Sequence, residues 1–100
     1  MSTYIALFKW TRQGIMNVKD SPARAQASRK AVEAAGGKVM CLWYTDGEYD
    51  MVAVAEWENG ESVVAFLEAQ AAQGFVRITA LKARTPAEFA EIVELVPYFS

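Results

Sequence analysis

The residues that could do chemistry in this chain are carboxylates, aromatic rings and basic groups, because histidine is absent and cysteine occurs once. Without histidine there is no imidazole acid–base catalyst and no histidine-liganded zinc or haem. A lone Cys41 can form neither an internal disulfide nor a thiolate metal cage. We therefore predict no metal site and no cofactor.

Asp50 is the first candidate for a catalytic or ligand-binding group, because it lies in a predicted strand among apolar residues. Desolvation penalises the ionised carboxylate, so such a group must be paired or must titrate at a raised pH. One interpretation is a general base, or a ligand-orienting group, in a pocket. The other, which we favour, is a structural carboxylate that accepts hydrogen bonds from backbone amides or a lysine and holds residues 11–20.

Basic and aromatic side chains supply the other candidate ligand-binding residues. The basic candidates surround the segment after the first strand, where they and the amides of a helix start could hold an anion. The alternative is a solvated loop, and for the aromatic residues it is ordinary packing. The ligand-binding candidates, together with Asp50, are Lys9, Arg12, Lys19, Trp43, Tyr44 and Tyr49.

The elements that must position these residues follow an alternating order. Strand-like residue types and turn signals predict strands over residues 3–10, 38–45, 48–57 and 75–82. Cap residues and helical spacing predict helices over residues 22–35 and 61–73, and a third helix from the Thr85-Pro86-Ala87-Glu88 capping box to Pro97. The order β-α-β-β-α-β plus a C-terminal helix predicts one α+β domain over residues 1–100, with a ferredoxin-like antiparallel sheet and two helices on one face.

The predicted sheet is apolar on both faces, which is unusual for a half-exposed antiparallel sheet. Asp46-Gly47 predicts a two-residue hairpin turn, which would set Tyr44 opposite Tyr49 and Trp43 opposite Asp50. In that register Met40 shares a face with Leu42, and Val39 shares the other face with Cys41. Residues 11–20 are predicted as a loop around Gly14 whose apolar side chains pack down onto the domain.

An uncovered apolar sheet face predicts self-association, since a bare patch of this size is rare on monomers. The expected cover is a second copy, sheet against sheet, with two-fold symmetry. The rival cover is the third helix with its aromatic tail, Tyr98-Phe99, folded over that face. The predicted partner is therefore the protein itself, as a homodimer or higher oligomer.

Charge and targeting signals exclude several classes of partner. The net charge of −2 does not fit a nucleic-acid-binding surface. Arg24, Arg29 and Lys30 are assigned to a solvated side of the first long helix. The N-terminus lacks a basic leader and no apolar run is long enough to span a bilayer, so we expect a soluble, cytoplasmic protein without a membrane partner.

A set of short segments occurs in order along nearly the whole chain. They are Thr3-Tyr4-Ile5-Ala6-Leu7-Phe8, Trp10-Thr11-Arg12-Gln13-Gly14-Ile15, Asn17-Val18-Lys19-Asp20-Ser21-Pro22, Gly36-Gly37-Lys38, Gly47-Glu48-Tyr49-Asp50, Val52-Ala53-Val54 and Glu56. Together they resemble the GYD family of small bacterial and archaeal proteins, whose Gly-x-Tyr-Asp signature matches the segment from Gly47 to Asp50. The resemblance implies a ferredoxin-like fold related to the dimeric α/β barrels, and it implies no established reaction. The wider dimeric-barrel group includes cofactor-free monooxygenases, isomerases and haem enzymes, many of which use a histidine that this chain lacks.

Three functions from different classes follow from these observations. The leading hypothesis is a homo-oligomeric domain that binds a small molecule between sheet and helices, with no reaction assigned. The alternative is a cofactor-free dimeric-barrel enzyme of the monooxygenase or isomerase type, acting on an aromatic or polyketide-like substrate. Trp43, Tyr49 and Asp50 would be its working residues, with Asp50 as the base. The third is a structural or regulatory module that acts through its interfaces.

Overall fold

Strands and helices alternate along the chain in the computed structural model, which describes residues 1–97. Within that range there are four strands and four helices. They are β1 (Ser2–Trp10), α1 (Arg12–Met16), α2 (Ser21–Ala34), β2 (Gly37–Tyr44), β3 (Met51–Trp57), α3 (Gly60–Ala72), β4 (Val76–Ala83) and α4 (Pro86–Glu94). No helix in this range is long and apolar enough to cross a membrane.

The strands form one sheet in the order β2-β3-β1-β4, and every neighbouring pair is antiparallel. The first and third strands occupy the centre, and the two long connections to the edge strands β2 and β4 are α2 and α3. This is the ferredoxin-like arrangement. The predicted α+β class, the antiparallel sheet with helices packed on it and the C-terminal helix are confirmed.

Helices α2 and α3 cover one face of the sheet, here called the covered face. Its core consists of Val32 from α2, Trp57 from β3 and Val63 from α3, each nearly inaccessible to water. The Trp57 and Phe66 rings lie 5.6 Å apart and are tilted by 47°, an arrangement that aromatic pairs favour. Gly37 permits this packing, since a Cβ there would lie 2.9 Å from the Trp57 ring.

The opposite face, here called the open face, carries two apolar rows that cross the sheet. One row runs Leu81–Ile5–Val54–Cys41, and the next runs Thr79–Leu7–Val52–Trp43. None of the described helices packs over these rows extensively. Trp43 is 63% exposed and Leu81 is also exposed.

The connection between β2 and β3 is longer than predicted. Tyr44 pairs with Met51 rather than Tyr49, and Trp43 pairs with Val52 rather than Asp50, so the two-residue turn was wrong. Residues 45–50 form the connection, which is closed by a 2.9 Å hydrogen bond from the Thr45 N–H to the Asp50 carbonyl. The Thr45 hydroxyl also donates to the Tyr49 carbonyl at 2.6 Å. Because the shift is an even number of residues, Leu42 and Trp43 keep their predicted faces.

A β-bulge in β2 exchanges the faces of two residues. The pairing shifts between Val39, opposite Ala55, and Cys41, opposite Val54, which leaves Met40 as the extra residue. Val39 therefore turns to the covered face and packs against the core, while Met40 is exposed. Both residues were predicted on the opposite sides, because one inserted residue inverts the alternation.

The segment predicted as a loop over residues 11–20 is mostly helical. Thr11 caps the five-residue helix α1, and a 3-10 turn follows at Val18–Asp20. Gly14 is the buried residue of α1 and lies against the Phe75 carbonyl, where a Cβ would not fit. The apolar side chains Ile15 and Met16 point outward and are exposed, so the prediction that they pack down was wrong.

Helix α4 extends from the sheet with little support from the other described elements. Its capping box is present, with the Glu88 N–H donating to the Thr85 hydroxyl and the Thr85 N–H to the Glu88 carboxylate. Phe89 and Val93 on its apolar side are more than half exposed. The radius of gyration of 15.8 Å exceeds the ~13 Å of a compact 100-residue chain. The predicted tail cover, Tyr98-Phe99, lies outside the described residues.

Candidate functional site

The Asp50 carboxylate is hydrogen-bonded where β1 ends and β3 begins. Its Oδ2 accepts the Trp10 N–H at 2.8 Å, and the Asp50 N–H donates to the Phe8 carbonyl at 2.8 Å. Asp50 therefore joins the start of β3 to the end of β1. That end of β1 leads directly into α1. This is the type of contact that the structural interpretation of Asp50 requires.

Lys9 and Tyr49 lie close to each other beside Asp50. The Lys9 Nζ is 5.3 Å from the centre of the Tyr49 ring and 3.9 Å from a Glu48 carboxylate oxygen. Both partners of that ion pair are largely exposed, so it adds little stability. Arg12 in α1 and Lys19 in the 3-10 turn are exposed. The negative charge of Glu48 beside Lys9 disfavours the binding of an anion at this position.

The remaining two predicted residues lie on different faces of β2. Trp43 is on the open face, whereas the Tyr44 hydroxyl reaches the first residue of α2 and lies 2.9 Å from the Ser21 Oγ. The Tyr44 ring is 6.4 Å from that of Trp10. Ser21 is buried, and no side-chain hydrogen bond caps α2, so Ser21 serves this contact rather than the helix start.

Two adjoining cavities lie between the helices and the covered face, and each has a volume of about 70 Å³. Phe8, Ser28, Leu42 and Phe66 line both of them. We call them the Arg24 cavity and the Arg29 cavity, after the one charged residue that lines each among residues 1–97. The Arg24 cavity is also lined by Trp10, Ser21, Ala25, Met51, Gln70, Gln73, Phe75 and Val76. The Arg29 cavity is also lined by Tyr4, Ala6, Val32, Val39, Ala53, Ala55, Trp57, Val63, Leu67 and Ala80.

Small side chains on the strands create this space. Ala6, Ala53, Ala55 and Ala80 occupy the middle of the covered face, where larger residues would fill the gap below the helices. A hydrogen bond of 3.1 Å from the Ser28 Oγ to the Gln70 Oε1 joins α2 to α3 above the cavities. The arrangement therefore suits a small, mainly apolar ligand.

The prediction that Arg24 lies on a solvated side of α2 was wrong. Arg24 is half-buried rather than solvated, and its Cζ lies 4.1 Å from the centre of the Phe75 ring. The Nη1 donates to the Asn17 carbonyl at 3.0 Å. The Nη2 is buried and has no hydrogen-bond partner among the described residues. The missed signal is the helical spacing of Ser21, Ala25 and Ser28, which places Arg24 beside the inward stripe of α2.

The sequence also matches a known family along most of its length. The family model of the GYD domain matches residues 4–93. The chain belongs to the GYD domain family. In this GYD domain, Gly47, Tyr49 and Asp50 of the signature segment lie in the β2–β3 connection.

Hydrogen bonds of Asp50 hold the signature segment next to β1. The family assignment attaches no reaction to it. Among the curated proteins, none matches the sequence significantly. Within residues 1–97 of the GYD domain, no group of three metal-ligating side chains comes together.

Proposed function

We propose that this GYD domain binds a small molecule between its helices and its sheet, and that it works as a homodimer. The observation that carries the proposal is the pair of adjoining apolar cavities below α2 and α3. Their combined volume approaches the roughly 150 Å³ cavity that holds benzene in another protein. A ligand of one small ring or a short alkyl chain fits this space.

The homodimer is argued from the open face. Polar pairs flank the two apolar rows along the strands, with Lys9 opposite Arg77 on one side and Lys38 opposite Glu56 on the other. An apolar centre within a charged rim is the usual composition of an association surface. A two-fold axis through the centre would bring each row against its own copy.

Ligand binding is tested with toluene, a neutral apolar probe, in an NMR titration of the full chain. We expect toluene to shift the amide signals of residues lining the cavities and to raise the melting temperature. Ala53→Leu adds bulk inside the Arg29 cavity and should weaken binding, whereas Ala23→Leu on the exposed side of α2 should not. The proposed function is contradicted if toluene does not bind, or if Ala53→Leu leaves the affinity for toluene unchanged.

Association is tested by sedimentation at micromolar concentration. The wild-type chain should sediment as two copies, and Trp43→Glu should shift it toward one copy, because a charge would be buried at the interface. Val64→Glu is the matched control, since Val64 is similarly exposed but lies on α3. A single-copy wild-type species would refute the homodimer.

A further inference from the structure

The Arg24 guanidinium has bonding capacity that the described residues leave unused. Less than 1 Å² of its Nη2 is exposed, and no acceptor among residues 1–97 lies within hydrogen-bond distance of it. A buried cationic donor without an acceptor is unfavourable, and the described part of the chain offers Arg24 no ion-pair partner. Phe75 holds the face of the guanidinium and Asn17 holds Nη1. The edge that carries Nη2 is therefore the one available for a further acceptor.

The surroundings of Arg24 select the charge of a ligand. Arg24 and Arg29 are the charged residues that line the two cavities, and no aspartate or glutamate within residues 1–97 lines either one. The other polar side chains that line the cavities are neutral. Ser21 is already bonded to Tyr44, and Ser28 is bonded to Gln70. A cationic ligand would meet only like charge here, whereas an anionic one would meet a donor.

The geometry points to a small organic carboxylate with an apolar body as the ligand of the Arg24 cavity. The carboxylate would accept hydrogen bonds from the free edge of the Arg24 guanidinium, whose planar fork matches a carboxylate. The apolar body would lie among Phe8, Leu42 and Met51. This inference rests on the proposed function and names the ligand class of the same site.

A carboxylate suits this cavity better than a phosphate group does. A phosphate carries more acceptor oxygens and is usually met by several backbone amides or by more than one basic group. Here a single guanidinium lines the cavity, and the other walls are mainly apolar. Because Nη2 is closed to solvent, binding requires the partly exposed Arg24 side chain to turn toward the cavity.

The test compares two probes of the same shape, phenylacetate and its neutral amide phenylacetamide. Both are titrated into the full-length chain at pH 7 and followed by NMR, with the Arg24 side-chain and Phe75 signals as reporters. We expect phenylacetate to bind about tenfold to a hundredfold more tightly, as a hydrogen bond to a charged group implies. Equal affinities would overturn the carboxylate inference while leaving the proposed function supported. Failure of both probes and of toluene would contradict the proposed function itself.

Two variants locate the charge recognition at Arg24. Arg24→Met keeps the length of the side chain and should lower phenylacetate affinity to that of the amide, with amide affinity unchanged. Lys30→Met removes an exposed charge from the same helix and should change neither affinity. A preference for phenylacetate that survives Arg24→Met would overturn the assignment to Arg24. If Arg24→Met does not fold, Arg24→Lys is tested in its place. Lysine keeps the positive charge but lacks the planar guanidinium that can bind both carboxylate oxygens, so this variant should retain only part of the preference for phenylacetate.

Discussion

The two faces of the sheet contain similar apolar residues in very different surroundings. On the covered face, Trp57 is 3% exposed and packs between α2 and α3. On the open face, Trp43 is 63% exposed although it lies only one strand away. Both faces are apolar across the middle of the strands. The difference indicates that the apolar residues of the two faces serve different purposes.

Burial on the covered face stabilises the single chain, because its side chains leave water when the helices pack on the sheet. Apolar residues on the open face contribute little to the stability of the single chain unless another surface covers them. Their contribution then depends on concentration, as for any assembly. The following predictions test this division, beginning with the largest effect.

Trp57→Ala should lower the free energy of unfolding by about 3–5 kcal/mol, because it removes a large ring from a well-packed core. Urea denaturation at low protein concentration, where any proposed self-association would contribute least, measures the loss. Trp43→Ala is the matched control, and it should change the same quantity by no more than about 0.5 kcal/mol, as is usual at a surface position. If Trp57→Ala and Trp43→Ala lowered the free energy of unfolding equally, the proposed difference between the two faces would be contradicted.

Asp50→Ala should lower the free energy of unfolding by about 1–3 kcal/mol, since the Trp10 N–H loses its acceptor at the end of β1. Asp50→Asn keeps an oxygen acceptor and should cost less. Both values come from denaturation curves of the purified variants. A fully stable Asp50→Ala protein that loses turnover of a substrate would instead support the enzyme alternative, which remains a prediction.

Tyr44→Phe should lower the free energy of unfolding by about 1 kcal/mol, because it deprives the buried Ser21 hydroxyl of its partner. Tyr49→Phe also removes a hydroxyl group, but Tyr49 contacts Lys9 through its ring. We therefore expect this substitution to lower the free energy of unfolding by less. Thermal melts of the two variants measure the difference. A larger loss at Tyr49 would show that the Tyr44 contact contributes little to the covered side.

The smallest effect concerns α4, which belongs to neither face. The backbone N–H of Thr85, and after it the Thr85 hydroxyl, lowers the pKa of the Glu88 carboxyl below its ordinary value of 4.5. A lowered acid pKa means that Glu88 stabilises the helix at neutral pH, and that this support is lost as the pH falls below about 4.5. The protection of the α4 amides against hydrogen exchange, measured relative to their intrinsic exchange rates at each pH, should therefore fall on acidification. Glu88→Gln should remove this pH dependence, and an unchanged profile would contradict the role of Glu88.

Most of the fold was predictable because its signals are local. The Thr85–Glu88 capping box and Gly36 after α2 act on neighbouring backbone groups, so their effect can be inferred from short segments. The nearly continuous apolar runs along β1 and β3 likewise indicate strands that are apolar on both sides. Only part of the candidate site could be predicted in this way. Asp50 was identified as a candidate for backbone contacts, whereas Arg24 was assigned to solvent.

The amino-acid sequence by itself determined the order of elements, the family and the apolar character of both sheet faces. Only the tertiary structure decided the bulge at Met40, the helical form of residues 12–16 and the position of Arg24 over Phe75. These features depend on pairings between segments far apart in sequence, such as the Thr11 N–H with the Phe75 carbonyl. No local pattern encodes such a pairing, because its free energy arises when both segments are already packed on the same sheet.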